Sequence, residues 1–188
     1  MLTPRSAHAI EWLFQQSIIE NLRADSLGTP QVNLVAQLPA HDSRTQRRLV
    51  VLNLSSYQFR IVAFFDFADR DATRRHLARH ARSDNLDEQG LLDAYAELVN
   101  MICGKVNRSL CEVFRHVGMS TPFFLESDCA AHLALLQPTH TTYLDAEADD
   151  GVRFAVTLCV CTSESAQIDF DVDRSQREEE SAGELELF

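Results

Sequence analysis

Two parts of this sequence place the same elements in the same order. The dipeptide Thr29-Pro30 recurs as Thr121-Pro122, an offset of 92 residues. Each dipeptide follows a long amphipathic helical pattern, at 5–24 and at about 87–117. Each also opens a predicted strand, at 31–38 and at 122–130. The same offset superimposes further predicted strands, 48–55 on 140–147 and 60–68 on 152–160. The chain therefore carries a unit of one helix and three strands twice.

This duplication restricts the fold to a few architectures. Two units, about 5–68 and 87–162, supply six strands whose alternation suits a sheet with one covered face. We expect one mixed or antiparallel sheet with both long helices packed on one face, which is an α+β fold. The arginine-rich stretch at 69–82 predicts a short basic helix between the units. The single domain then spans 1–162, and the acidic segment 163–188 is expected to be a disordered tail.

Composition and charge exclude several classes of protein. A chain of 188 residues with 45% hydrophobic residues can bury one well-formed core. The net charge of −11 argues against nucleic acid as a partner, because binding phosphates requires a basic face. No apolar run approaches the roughly 18 residues of a membrane-spanning helix. The first residues lack the pattern of a secretory signal, so a cytoplasmic protein is expected.

The cysteines and histidines do not form a recognisable metal site. Five cysteines, an odd number scattered through apolar segments, are best explained as buried reduced thiols. His76 and His80 have the spacing of zinc ligands on a helix, but the neighbouring arginines would repel a cation. A solvated basic helix is the preferred interpretation, and electrostatic attraction of an acidic partner is the alternative. We expect no metal bound by this chain.

The second long helix carries a row of polar residues that needs an explanation. Asp93, Glu97 and Asn100 stand at i, i+4 and i+7, which places them on one helix face. Gly104 and Asn107 continue the row. A mid-helix glycine costs about 1 kcal/mol relative to alanine. Its lack of a side chain would let another surface approach Asn100, or would let the two long helices pack closely.

The first copy of the unit lacks this row. The offset of 92 residues places Met1, Arg5 and His8 at the positions equivalent to Asp93, Glu97 and Asn100. One site per chain is therefore expected. A solvated helix face without function is the alternative interpretation of the row itself, since amphipathic helices ordinarily expose a polar face.

The spacing of Asp93, Glu97 and Asn100, followed by Thr121-Pro122 and a strand, resembles the signature of the CheC/CheX family of chemotaxis phosphatases. The single motif resembles CheX more than CheC. This resemblance implies that the chain dephosphorylates a phosphorylated CheY-like response regulator, with Asn100 orienting the attacking water and Glu97 pairing with the regulator's lysine.

The same resemblance gives the remaining residues and partners their expected roles. Asp93 would have a supporting role at the interface. Gly104 and Asn107 are expected to adjoin a bound partner because they continue the same row on the helix. The regulator would supply the Mg²⁺, so this chain needs no cofactor of its own. Members of the family often form dimers, which an edge strand of the sheet could mediate, so a homodimer is expected.

The chemistry is consistent with the residues present. An aspartyl phosphate is already activated, so the missing ingredient is a positioned water, which an amide side chain can hold as Gln does in GTP hydrolysis. No nucleophile paired with a base is recognisable in the sequence. Two alternatives stay open at this point: a module that binds a regulator without hydrolysis, and a structural component related to flagellar-switch proteins.

Overall fold

A computed structural model describes residues 1–23, 29–38, 48–67, 71–80, 86–148, 151–163 and 165–174. The helices are α1 (Pro4–Arg23), α2 (Asp71–His80) and α3 (Glu88–Val113), with a 3-10 helix at Ser127–Leu136. The strands are β1 (Gln31–Val35), β2 (Arg48–Ser55), β3 (Phe59–Phe67), β4 (Gly118–Met119), β5 (Phe123–Glu126), β6 (His140–Glu147) and β7 (Arg153–Thr162).

The strands form one sheet whose pairings are all antiparallel. The order is β1-β6-β7-β3-β2, and both β4 and β5 pair with the outer side of β2. β1 corresponds to β5, β2 to β6 and β3 to β7 in the two units. If each strand is replaced by its counterpart, the result is the same strand order read from the other edge of the sheet. The sheet therefore has the internal two-fold arrangement that a duplicated unit predicts. Its seventh strand, the two-residue β4, was not predicted.

Both long helices lie on one face of this sheet, which confirms the expected α+β fold. Alternate residues of β3, from Phe59 to Phe67, point into a single large core together with the apolar faces of α1 and α3. The helices are joined directly, because the Ser17 hydroxyl donates a hydrogen bond of 2.8 Å to the Ile102 carbonyl. Phe14, Phe65 and other large side chains are completely buried there.

The opposite face of the sheet corrects one predicted element. A strand was predicted at 122–130, but β5 ends at Glu126 and the chain continues as the 3-10 helix. Leu133 and Leu136 of this helix pack on a second, smaller apolar cluster that includes Phe64 and Cys159. The chain leaves the edge of the sheet after β5 because the 3-10 helix can then bury these apolar side chains against the sheet face that the long helices do not cover.

The predicted end of the second long helix is also corrected. The helix was expected to reach Val117 and to stop at Gly118, but α3 ends at Val113. Phe114 adopts an extended conformation and places its ring 5.0 Å from the rings of Phe59 and Phe170, both edge to face. Core packing of one aromatic ring thus ends the helix four residues early. The left-handed residue that follows is His116, with φ of 64°.

Part of the expected disordered tail belongs to the core. Residues 165–174, called the C-terminal strap here, lie along the start of α1. Ile168 is 2% exposed and Phe170 is 5% exposed. The Ser6 hydroxyl accepts a hydrogen bond of 2.7 Å from the Phe170 amide, and its single hydrogen is shared between the carbonyls of Ile168 and Phe170, each 3.2 Å away. The boundary predicted at residue 162 is therefore too early, and 175–188 lie outside the described residues.

The basic helix is real but is not solvated on all sides. α2 covers Asp71–His80, and the ends of the predicted range 69–82 lie outside the described residues. Thr73, His76 and Leu77 are buried against the rest of the protein, whereas Arg74 and Arg75 are exposed. The prediction of a solvated helix is therefore wrong for the face that carries His76.

Candidate functional site

Helix α3 holds the polar row in place. The Asp87 side chain caps the helix by accepting a hydrogen bond of 2.7 Å from the Gly90 amide. Deep burial of the apolar face, including Val99 and Cys103, fixes the rotation of the helix on the sheet. Consequently the residues on the opposite face, among them Glu97, are held toward solvent.

The predicted catalytic pair has no polar partner among the residues that the structure describes. Glu97 is exposed and Asn100 is half-buried. Within the described residues, neither the Glu97 carboxylate nor the Asn100 carboxamide forms a hydrogen bond or an ion pair. By contrast, Asp93 accepts a hydrogen bond of 2.8 Å from the Gln89 side chain one turn earlier. The structure thus brings all three predicted residues onto one face and leaves two of them available to a partner.

Gly104 faces open space beside this pair. In the part of the chain that the structure describes, a Cβ atom built at Gly104 would meet only the Cε of Met119, at 4.0 Å, and no atom of α1 within that distance. The alternative in which this glycine lets the two long helices pack closely is therefore wrong. Open space one turn from Asn100 is what the approach of another surface requires.

The last residue of the row differs from the others. The Asn107 carboxamide oxygen is buried and accepts no hydrogen bond within the described residues. A buried amide oxygen without a donor costs about 1–3 kcal/mol, so the fold tolerates a local penalty there. Contact between Asn107 and a partner stays a prediction.

In the first unit, two of the three positions equivalent to Asp93, Glu97 and Asn100 contact the C-terminal strap, namely Met1 and Arg5. The Arg5 guanidinium donates to Asp169 at 3.1 Å, and Thr3 donates to the same carboxylate at 3.0 Å. The backbone of Met1 accepts a hydrogen bond from the Ile168 amide. The two helices are therefore equivalent in the fold but not in the surface that they present.

A cleft beside the polar row was not anticipated from the sequence. It encloses about 500 Å³ between α3 and the C-terminal end of α1. Its walls consist of residues from three elements: Glu20, Asn21, Asn100, Met101, Gly104, Lys105, Arg108 and Met119. The available signal was charge, because Lys105 and Arg108 are the only cationic residues within α3.

The remaining reactive side chains do not extend the site. Burial raises the pKa of the Cys159 thiol to about 11, and burial also raises the pKa of the Cys103 thiol. Both are therefore protonated at neutral pH. Among the residues that the structure describes, no three His, Cys, Asp or Glu side chains come together as a metal site would require. Nor does any helix in these ranges have the length and apolar character needed to cross a membrane.

Comparison with solved structures places this architecture among known proteins. CheX from Vibrio vulnificus superimposes with a TM-score of 0.57 and 15% identity, over 81% of this chain and 99% of that protein. A chemotactic CheC-like protein from Shewanella oneidensis MR-1 gives 0.58 and 13%, over 82% of this chain and 99% of that one. The chain has the CheX/CheC-like fold.

One structure with the CheX/CheC-like fold contains a partner. It is the CheX–CheY–BeF3–Mg²⁺ complex from Borrelia burgdorferi, with a TM-score of 0.55 and 12% identity, over 82% of this chain and 96% of the matched chain. Structural similarity at such low sequence identity demonstrates a shared fold and leaves the activity open. Comparisons with protein-family models and with curated proteins find no match.

Proposed function

We propose that this chain accelerates the loss of the phosphoryl group from an aspartyl-phosphorylated CheY-type response regulator. One observation carries the proposal: Glu97 and Asn100, one turn apart on a rigid helix face, both lack partners within the described residues. The Borrelia burgdorferi complex supports it, since that CheX has the same fold and is bound to CheY with BeF3 and Mg²⁺.

In this mechanism α3 inserts its polar face into the regulator's phosphorylated site. The Asn100 carboxamide can both donate to and accept from a water molecule, and so can orient it for in-line attack on phosphorus. The Glu97 carboxylate pairs with the regulator's lysine, which anchors the helix through a charge-assisted hydrogen bond. The regulator supplies Mg²⁺. Asp93, Gly104 and Asn107 adjoin the docked surface.

The test compares phosphoryl-group loss from a panel of the host's regulators with wild type and Asn100→Ala. We expect Asn100→Ala to lower the stimulated rate at saturation by about 100-fold, the usual effect of removing one positioned polar group. Glu97→Ala should mainly raise the regulator concentration needed for half-maximal stimulation. Asn33→Ala is the matched control, because Asn33 is exposed on the edge strand β1.

These measurements distinguish a phosphatase from a module that only binds the regulator. Full activity of Asn100→Ala would refute the mechanism. Binding of a phosphorylated regulator without any acceleration of its decay would instead support a non-catalytic binding module and would leave Asn100 as a contact residue.

A further inference from the structure

The cleft beside Asn100 contains one cation, Arg108, that has no polar partner within the described ranges. Lys105, on the same wall, forms an ion pair with Glu20 of α1. Arg108 is exposed, and within the described residues no hydrogen bond or ion pair involves its guanidinium. In a chain of net charge −11, an unpaired arginine at the rim of a cleft is a specific electrostatic feature.

Two carboxylates of the C-terminal strap line a groove together with Arg108, and no ion pair joins either of them to Arg108. Asp171 and Asp173 line a second groove, of about 290 Å³, that shares Lys105 and Arg108 with the cleft. Asp171 instead accepts a hydrogen bond from the Val172 amide. No carboxylate in the described part of the chain therefore pairs with the guanidinium.

The apolar part of the cleft suits a protein surface. Met101 is 39% exposed, and Met119 lies half-buried across from Gly104. Methionine side chains are flexible and polarizable, and they adapt to the shape of a bound surface. The absence of a side chain at Gly104 leaves the path between Asn100 and Arg108 open. The cleft thus combines a flexible apolar wall with one free positive charge.

We propose that this cleft receives an acidic segment of the response regulator, and that Arg108 determines which regulator is accepted by pairing with a carboxylate there. This inference rests on the proposed function, which places Asn100 at the phosphoryl group. Asn100 and Arg108 are eight residues apart, or about 12 Å along the helix axis at 1.5 Å per residue. The regulator's carboxylate should therefore lie about 12 Å from its phosphoryl group.

The experiment measures the regulator concentration for half-maximal stimulation with wild type, Arg108→Ala and Arg108→Glu. The matched control is Arg60→Glu, because Arg60 is also exposed and unpaired within the described residues but lies on the sheet face opposite the helices. We expect Arg108→Glu to raise that concentration roughly three- to tenfold, since an exposed ion pair is lost and repulsion is added. The rate at saturation should not change.

Two further measurements exclude a merely structural effect. Raising the salt concentration should weaken binding by the wild type more than binding by Arg108→Ala. Salt screens the attraction between Arg108 and the regulator's carboxylate, and the alanine variant lacks this attraction. Replacing the regulator carboxylate about 12 Å from the phosphoryl group with lysine should restore binding to Arg108→Glu. Unchanged half-saturation in Arg108→Glu at low salt, or an equal change in Arg60→Glu, would overturn the inference.

Failure of this inference is distinguishable from failure of the proposed function. Binding of the BeF3- and Mg²⁺-loaded regulator can be measured by calorimetry with no reaction taking place. Loss of this binding in Arg108→Glu, together with full activity in Asn100→Ala, would support the docking surface and reject the mechanism. Normal binding in Arg108→Glu, with no activity in Asn100→Ala, would do the reverse.

Discussion

A methyl group added at Gly104 would meet no obstacle among the described residues, so this position can separate an effect on function from an effect on stability. Because only the Met119 Cε lies at 4.0 Å, alanine fits without displacement. We expect Gly104→Ala to raise the free energy of unfolding by about 0.5–1 kcal/mol, since glycine is the poorer helix former. Urea denaturation measures this change.

The same substitution should weaken the complex with the regulator, because the methyl group fills space between Asn100 and Arg108. A more stable variant with a higher half-saturating regulator concentration is the expected pair of results. Gly90→Ala provides the contrast, since its Cβ would lie 3.1 Å from the capping oxygen of Asp87 and should add less stability. A Gly104→Ala protein that is more stable and equally active would show that this space has no role in docking.

At the residue level, the sequence could predict which side chains share a face but not which of them are free. Spacing along a helix is enough to align Asp93, Glu97 and Asn100. Lys105 is paired and Arg108 is not because Glu20 lies beside Lys105, and the position of Glu20 is a consequence of tertiary packing.

The burial of Glu11 also depends on tertiary packing, since spacing alone would place a glutamate at the surface. It is buried because the Thr142 hydroxyl donates to its carboxylate at 2.8 Å and His140 Nε2 lies 3.0 Å from the same oxygen.

Among the elements, the C-terminal strap offers the sharpest prediction about stability. Phe170 is 5% exposed and packs against the Phe114 ring, so Phe170→Ala leaves a cavity in the main core. We expect a loss of about 3–5 kcal/mol in the free energy of unfolding. Chemical denaturation followed by far-UV circular dichroism measures it.

The control for this prediction lies one residue away. Asp169 is about half exposed and pairs with Arg5, so Asp169→Ala should cost about 1 kcal/mol or less. If both variants lost the same small amount, the strap would be an attached surface segment and not part of the core.

Element boundaries were predictable where periodicity alone determines them. The starts of β1 and β5 follow the two Thr-Pro dipeptides as expected, and α1 has nearly the predicted bounds. The boundaries that were predicted wrongly depend on contacts between residues far apart in the sequence. The end of α3 depends on the position of the Phe114 ring, and the strap depends on the hydroxyl of Ser6. Neither contact leaves a local pattern in the sequence.

For the whole molecule, the duplicated sequence predicted the two-fold arrangement of the sheet because strand order follows from repeating one unit. What the repeat could not supply is the difference between the two helices. The strap engages the start of α1, whereas the polar row of α3 faces solvent. The two halves therefore share a backbone arrangement but present different surfaces.

The extent of cooperative unfolding can be measured with the thiols. Cys103 lies in the core on the helix side of the sheet, and Cys159 lies in the smaller cluster on the other side. Both thiols are completely buried, and burial raises both pKa values, so neither is a thiolate at pH 7.5. If the sheet and both of its faces form one domain, both cysteines should become reactive only when the whole molecule unfolds.

We therefore expect an alkylating reagent at pH 7.5 to modify the exposed Cys111 first. Cys103 and Cys159 should react at least about a thousandfold more slowly than in urea, as an unfolding free energy of 5 kcal/mol or more implies. Their two rates should agree, because a single opening exposes both. Peptide mass spectrometry assigns each rate to its residue. Labelling of Cys159 well before Cys103 would contradict the single domain, since the face covered by the 3-10 helix would then open independently of the helical core.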